Sequence, residues 1–308
     1  RQAARQGHAR AQCNLGYCYY QGIGVEENND EAFRWFEEAA AQGYPRALYL
    51  LGECYENGYG VAEDIQKAVE LYRQAREDGS AAGTCSLGLC YELGQGVPED
   101  KGHAVELYRQ AAERGLSRAQ CNLGYCYYEG IGIQKDDNQA FYWFSKAAEQ
   151  ENSRGLCMLG LCYETGRGVT EDKLKATEYY RKAADNGNVT AMCNLGYCYY
   201  TGIGVAEDEA EAVIWFRKAA DRGQSRALFL LGECYEEGNG VQADLEKALE
   251  YYQEAADKGY KSAQEAVARL KGQPRPAGAY TYVPPAAPAP QPPKEKPRRG
   301  GLFGFFKK

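Results

Sequence analysis

The run CNLGYCYYQGIGV, residues 13–25, admits two readings. Cys13 and Cys18 are the residue types of a metal or redox site, and Gly22-Ile23-Gly24 has the look of a phosphate loop. The same run can also be structural. What recurs along the chain decides between them. Leu15-Gly16 returns as Leu51-Gly52, Leu87-Gly88, Leu123-Gly124, Leu159-Gly160, Leu195-Gly196 and Leu231-Gly232, a step of 36 residues each time. Cys18, Tyr19, Gly22, Gly24, Ala32 and Ala39 each have an identical counterpart in all seven copies. A fixed period in this range marks a stacked array, in which every copy buries its neighbour's apolar face.

One copy reads as two helices. Ala11, Leu15, Cys18 and Gly22 fall on a single stripe of a 3.6-residue period. Gly22 and Gly24 then stop the helix, as glycine does past a helix end. An Asx residue follows in every copy (Asn28, Asp64, Asp100, Asp136, Asp172, Asp208, Asp244), the N-cap of a second helix. Ala32, Phe36 and Ala39 form the buried stripe of that helix, and Gly43 closes it. Small residues at Gly16, Ala32 and Ala39 let the two helices approach closely. The fold class that follows is all-α: seven antiparallel helical hairpins in tandem.

The core A-x-x-x-L-G-x-x-Y-x-x-G-x-G-V, the capping Asp and the closing A-A-x-x-G resemble the Sel-1-like repeat family, relatives of the tetratricopeptide repeat. The resemblance covers residues 1 to about 271. It implies a right-handed α-solenoid that acts as an adaptor or scaffold without catalysis of its own. The tetratricopeptide repeat itself has a period of about 34 residues and lacks the Gly-x-Gly loop. Departures are local: Glu151 replaces the closing glycine, Gly83 and Gly155 replace the first-helix alanine, and Arg76 replaces the second alanine of its pair. Glu151 cannot take a left-handed cap as cheaply as glycine, so the joint at 148–156 is expected to be the softest.

The expected organisation is the end of a preceding repeat at 1–8 and hairpins at 9–43, 44–79, 80–115, 116–151, 152–187, 188–223 and 224–259. A capping helix at 260–271, a Pro-rich linker at 272–297 and a basic-aromatic segment at 298–308 follow. In the cap, Ala263, Val267 and Leu270 are expected inward, with Lys261, Glu265 and Arg269 toward water. Because "RQAARQG" aligns with the end of a second helix, an upstream segment is expected.

The cysteines fall in two columns, five with Cys13 and seven with Cys18. An i, i+5 pair on a helix points about 140° apart, so the two thiols cannot share a metal, and no C-x-x-C pair occurs. Equivalent cysteines in successive copies are expected about 10 Å apart, beyond disulfide reach. Tyr49 and Phe229 stand in the Cys13 column, which suits packing. Secreted members of the resembled family are stapled between helices, whereas the second helices here contain no cysteine. That favours a reducing, cytoplasmic compartment. Gly-x-Gly follows a helix and appears seven times, so it is a turn; a dinucleotide loop needs a preceding strand. His8 and His103 are the only histidines and occupy non-equivalent positions. No enzyme chemistry, cofactor or metal is expected.

The stripe Arg10, Asn14, Tyr17 and Gln21 faces away from the core and varies between copies. Its expected partner-binding members are Arg10, Arg46, Arg118, Arg154 and Arg226; Asn14, Asn122 and Asn194; and Tyr17, Tyr125 and Tyr197. In the related arrays the first helices line the concave face, which implies a partner segment held along it. Arg reads carboxylates in a fork, Asn pairs with peptide groups, and Tyr offers rigid contact area.

Charge separates body and tail. The formal net charge is -7, yet from residue 272 seven Lys or Arg stand against Glu295 alone, a net of +6 on the tail and -13 on the body. An acidic body excludes a nucleic-acid face. No apolar run nears the ~20 residues needed to span a bilayer. Nine of the eleven prolines lie at 274–297, the composition of an extended, disordered spacer. Beyond it, Leu302, Phe303, Phe305 and Phe306 sit between Arg298, Arg299, Lys307 and Lys308. This segment is expected to dock on an anionic membrane surface or on a partner, placing the protein peripherally at the membrane. A regulatory subunit that recruits a membrane enzyme through the segment is the alternative.

Overall fold

The computed structural model describes residues 1–272, and the predicted tail segment lies outside the described residues. The described residues form sixteen helices and no strand. They divide into two compact units, 1–136 and 137–272. The first unit holds α1 (Gln2–Arg5), α2 (Ala9–Gln21), α3 (Asn29–Ala40), α4 (Pro45–Asn57), α5 (Ile65–Glu77), α6 (Ala81–Leu93), α7 (Lys101–Glu113) and α8 (Ser117–Glu129). The second holds α9 (Asp137–Ala148), α10 (Ser153–Thr165), α11 (Lys173–Asp185), α12 (Val189–Thr201), α13 (Glu209–Ala220), α14 (Ser225–Glu237), α15 (Leu245–Asp257) and α16 (Lys261–Leu270). Within each unit every helix packs against the next in sequence. This is the tandem-hairpin architecture of an α-solenoid.

Each hairpin is closed by its own invariant residues. Gly22 is left-handed at φ 66° and donates to Cys18 O; Ile23 N donates to the same carbonyl at 2.9 Å. Tyr19 O then accepts from Asn28 N at 2.9 Å, and the Tyr55, Tyr91, Tyr163, Tyr199 and Tyr235 carbonyls do likewise for their capping residues. The cap side chains behave as the pattern requires. Asp64 Oδ1 accepts from Lys67 N at 3.0 Å and Asp208 Oδ1 from Glu211 N at 2.9 Å, satisfying helix-start donors that have no intrahelical partner. The tyrosine ring also serves its neighbour. Arg109 Nη2 donates to Tyr127 OH at 3.2 Å and Arg217 Nη2 to Tyr235 OH at 3.1 Å, each reaching from one second helix to the next hairpin.

The core is built on one aromatic per hairpin pressed against a glycine. Phe36, Tyr72, Tyr108, Phe144, Tyr180, Phe216 and Tyr252 are all at or below 1% exposure. A Cβ at Gly196 would stand 2.6 Å from Phe216 Cδ1, and one at Gly232 would stand 2.5 Å from Tyr252 Cδ1. Alanine there would overpack the joint. The second loop glycine has a different task. A Cβ on Gly204 would lie 2.0 Å from Lys173 O, and one on Gly132 2.2 Å from Lys101 O. That glycine sets main chain against main chain between successive hairpins.

The aromatic has a polar counterpart that varies with it. Tyr72, Tyr108, Tyr180 and Tyr252 donate their hydroxyls to Glu56, Glu92, Glu164 and Glu236 at 2.5–2.8 Å. Where the second helix carries Phe36, Phe144 or Phe216, the first helix carries Tyr20, Tyr128 or Tyr200 instead of glutamate. A hydroxyl with no acceptor, or a carboxylate with no donor, would be costly in this interior.

Two features refine the sequence expectations. Glu151 adopts φ 56°, the single positive φ outside glycine among the described residues, and Asn186 Nδ2 donates to its carbonyl at 3.2 Å. In α16 the fully buried positions are Ala263 and Ala266, with Val267 and Leu270 half-buried. Arg269, expected in water, turns inward instead. It forms a two-pronged pair with Glu236, Nη2 to Oε2 at 2.6 Å, because that half-buried carboxylate needs a counter-charge.

Candidate partner-binding face

The stripe singled out in the sequence lies on the first helices α2, α4, α6 and α8 of one unit and α10, α12 and α14 of the other. Its members are not equally available. Arg10 is exposed; Asn14, Tyr17, Arg46, Arg118, Tyr125, Arg154 and Tyr197 are half-buried. Asn122, Asn194 and Arg226 are buried at 8%, 3% and 9% exposure.

The arginines reach back along the array. Arg46 lays its guanidinium 5.2 Å from the Tyr17 ring centroid, and Arg226 sits 5.2 Å from that of Tyr197. Such cation–π contacts contribute about 0.5–2 kcal/mol according to exposure. Arg226 Nη1 also donates to Asn194 Oδ1 at 3.1 Å, so that pair is turned on itself. Asn122 Nδ2 contacts Cys85 Sγ at 3.8 Å. Arg118 reaches furthest. It donates to Ser86 Oγ at 2.9 Å in the preceding hairpin and lies 5.9 Å from the Tyr49 ring one hairpin beyond. Tyr49 in turn donates its hydroxyl to Glu53 Oε1. Burial pushes the Glu53 carboxyl upward, while Arg118 and the Tyr49 hydroxyl pull it down.

The same helix faces hold residues that the column pattern does not single out: Tyr49, Glu53 and Ser86 in the first unit and Glu233 in the second. Glu53 and Glu233 occupy the Tyr17 column, in the two hairpins that carry LLGECYE. A glutamate in a surface stripe reads as solvated, and the Tyr49 hydroxyl together with the arginine's reach across two hairpins shows Glu53 to be held. The remaining open polar set is at the start of the first unit. Among the described residues Asn14 and Arg46 there have neither a hydrogen bond nor a carboxylate partner, and Gln21 Nε2 is buried without an acceptor.

The thiols offer little reactivity. All twelve cysteines are free and eleven are buried, with Cys18 half-buried. Burial raises Cys13 and Cys193 to about 11 and Cys54, Cys90, Cys162, Cys198 and Cys234 to about 12, so they stay protonated at neutral pH. Among the described residues no group of three or more His, Cys, Asp or Glu is placed to hold a metal ion. No helix among them is long and apolar enough to cross a membrane.

The repeat pattern of the Sel1 family matches residues 9–44, 45–80, 81–116, 117–152, 153–188, 189–224 and 225–260. The chain is a Sel1 repeat protein. Solved structures agree. A protective antigen of uropathogenic Escherichia coli strains displaying an SLR fold is 39% identical with a TM-score of 0.68, over 87% of this chain and 58% of that one. The chain thus spans under two thirds of that antigen's length. A Sel1 repeat protein from Oxalobacter formigenes is 31% identical with a TM-score of 0.70, over 79% of this chain and 96% of that one. No curated protein matches. Sel1 repeat proteins are generally scaffolds for protein interaction.

Proposed function

We propose that this chain is a non-catalytic adaptor that holds an extended segment of a partner protein along its first-helix faces. The observation that carries the reading is the open set of Arg10, Asn14, Tyr17 and Arg46 at the start of the first unit. A guanidinium stacked on tyrosine with no carboxylate of its own is a ready fork for an acidic group. The neighbouring Asn14 can pair with a peptide unit through both donor and acceptor. In the second unit, buried Arg226 and Asn194 are bonded to each other across a hairpin joint and serve structure there. A cytoplasmic, reducing setting belongs to the same reading and is supported by the twelve free thiols.

The test is quantitative binding of a captured partner to the full chain and to a Tyr17→Ala/Arg46→Ala variant with unchanged far-UV circular dichroism. Loss of an anchor pair is expected to weaken binding on the order of tenfold or more. Unchanged affinity would sink the assignment of this face. The tail residues Arg298, Arg299, Leu302, Phe303, Phe305, Phe306, Lys307 and Lys308, assigned by sequence to a membrane surface or partner, lie outside the described residues.

A further inference from the structure

Glu53 and Glu233 are counterparts: each follows LLG in α4 or α14, and each projects from the same register of its hairpin. Their surroundings differ. Glu53 receives the Tyr49 hydroxyl and lies beside the Arg118 guanidinium. At Glu233 the counterpart of Tyr49 is Phe229, which has no hydroxyl to donate, and its ring is packed against Tyr252 and Tyr260 at 5.4 and 5.3 Å.

Two described arginines of this region are committed elsewhere. Arg269 of α16 is forked onto Glu236, which also takes the Tyr252 hydroxyl from α15 at 2.8 Å. Arg226 is turned to Asn194 of α12. Tyr200 of α12 is held by Asn239 at 2.8 Å. Glu233 is half-buried and, among the described residues, in no hydrogen bond or ion pair, with Glu236 and Glu237 on the same helix. Burial and those two carboxylates push it up to about 7, with Arg269 acting the other way. An in-register carboxylate in the first unit shows what fits such a place: a guanidinium arriving from a distant part of the chain.

We propose that the α14 face around Glu233 is the docking surface for the chain's own C-terminal segment, residues 298–308. One arginine of the Arg298–Arg299 pair takes, at Glu233, the role that Arg118 takes at Glu53. Charge complementarity selects this occupant. The tail carries +6 against a body of -13, and its two adjacent arginines supply the fork chemistry. Length does not oppose it: twenty-five residues separate 272 from 298, and an extended chain can span up to about 3 Å per residue, roughly 75 Å. A tether of that kind keeps the segment at an effective concentration up to the millimolar range, enough for a modest charge-paired contact to form. The contact is independent of whether a partner occupies the first unit.

Carbodiimide crosslinking of the full chain tests this, because it joins lysine to carboxylate only in contact. The protein is prepared as a mixture of nitrogen-15-labelled and unlabelled chains, so links within one chain are separable from links between two. Within-chain links from Lys294, Lys296, Lys307 and Lys308 are expected to concentrate on Glu233 and Glu237. They should fall about fivefold in an Arg298→Ala/Arg299→Ala chain, the change expected from losing one partly exposed charge pair. Glu233→Gln, which removes no hydrogen bond, should reduce the links to Glu237 while leaving the circular dichroism unchanged. Three outcomes overturn the proposal. The first is links spread over exposed carboxylates of both units regardless of the arginines; the second is links joining labelled to unlabelled chains, which assigns the face to a second copy. In the third, the tail links to nothing in α14 while the chain sediments with phosphatidylserine vesicles through Arg298 and Arg299, which assigns the segment to a lipid surface.

Discussion

Replacing Tyr108 by phenylalanine tests the polar accounting inside the hairpins. The Tyr108 hydroxyl donates to Glu92 Oε2 at 2.5 Å, with the ring at 0% and the glutamate at 7% exposure. Tyr108→Phe removes the donor and leaves a buried carboxylate, which costs about 1.5–3 kcal/mol for a bond to a charged group. Glu92→Tyr alone crowds a second phenol into the same space, an overpacking penalty of about 1–3 kcal/mol. The double change, Glu92→Tyr with Tyr108→Phe, recreates the pair found in the first and sixth hairpins, where Tyr20 and Tyr200 sit 6.5 and 6.2 Å from Phe36 and Phe216. It should therefore cost less than the sum of the singles by about 2 kcal/mol, well outside the ~0.5 kcal/mol tolerance of independent sites. Urea unfolding followed by circular dichroism measures this. Hydrogen exchange in α6 and α7 accompanies it, because repeat arrays can open in parts. Additive singles, or a neutral Tyr108→Phe, would refute the coupling.

Three further outcomes are expected. Glu151→Gly should raise stability by about 0.5–1 kcal/mol by relieving φ 56° and should slow hydrogen exchange across 148–156; a loss of stability would show that the cap is not strained. In the Arg298→Ala/Arg299→Ala background, Glu233 retains its raised value of about 7 against an ordinary 4.5. The folded state then holds a proton the unfolded state has released, so stability should fall as pH rises from about 4.5 through about 7. Glu233→Gln should remove that component, and a parallel pH profile for the two chains would count against it. Thiol titration with an aromatic disulfide should find one fast-reacting cysteine, Cys18, and all twelve only in denaturant; several fast thiols would contradict the packing described.

Much of the architecture is legible in the sequence because it is carried by local rules applied at a constant interval. Gly22 at φ 66° and the Asp64 cap are each decided within a few residues of chain. The alternation of Tyr72 with Glu56 and of Phe36 with Tyr20 was equally legible once the copies were laid side by side, yet a single hairpin does not display it. The interaction face was legible only as a column of residue types. Whether an arginine is open, like Arg46, or turned on its neighbour, like Arg226, depends on the reach of a long side chain across a joint, and no periodicity encodes that. The contrast between Glu53 and Glu233 is only half legible: Tyr49 against Phe229 can be read from the sequence, whereas the approach of Arg118 to Glu53 cannot.

The second loop glycine, set against the main-chain carbonyl of the hairpin before it at Gly60, Gly132 and Gly204, has a consequence for how such a chain can change. That backbone contact uses no side chain of the loop, so it can recur whatever residues flank it, while the helices on either side still meet through chosen pairs such as Arg109 and Tyr127. Gain or loss of whole 36-residue blocks then preserves this loop contact, while stripe residues that bond to no neighbouring hairpin, such as Arg10 and Asn14, can change without disturbing it. The length of the platform and the identity of its contacts are thereby separable properties, adjustable one without the other.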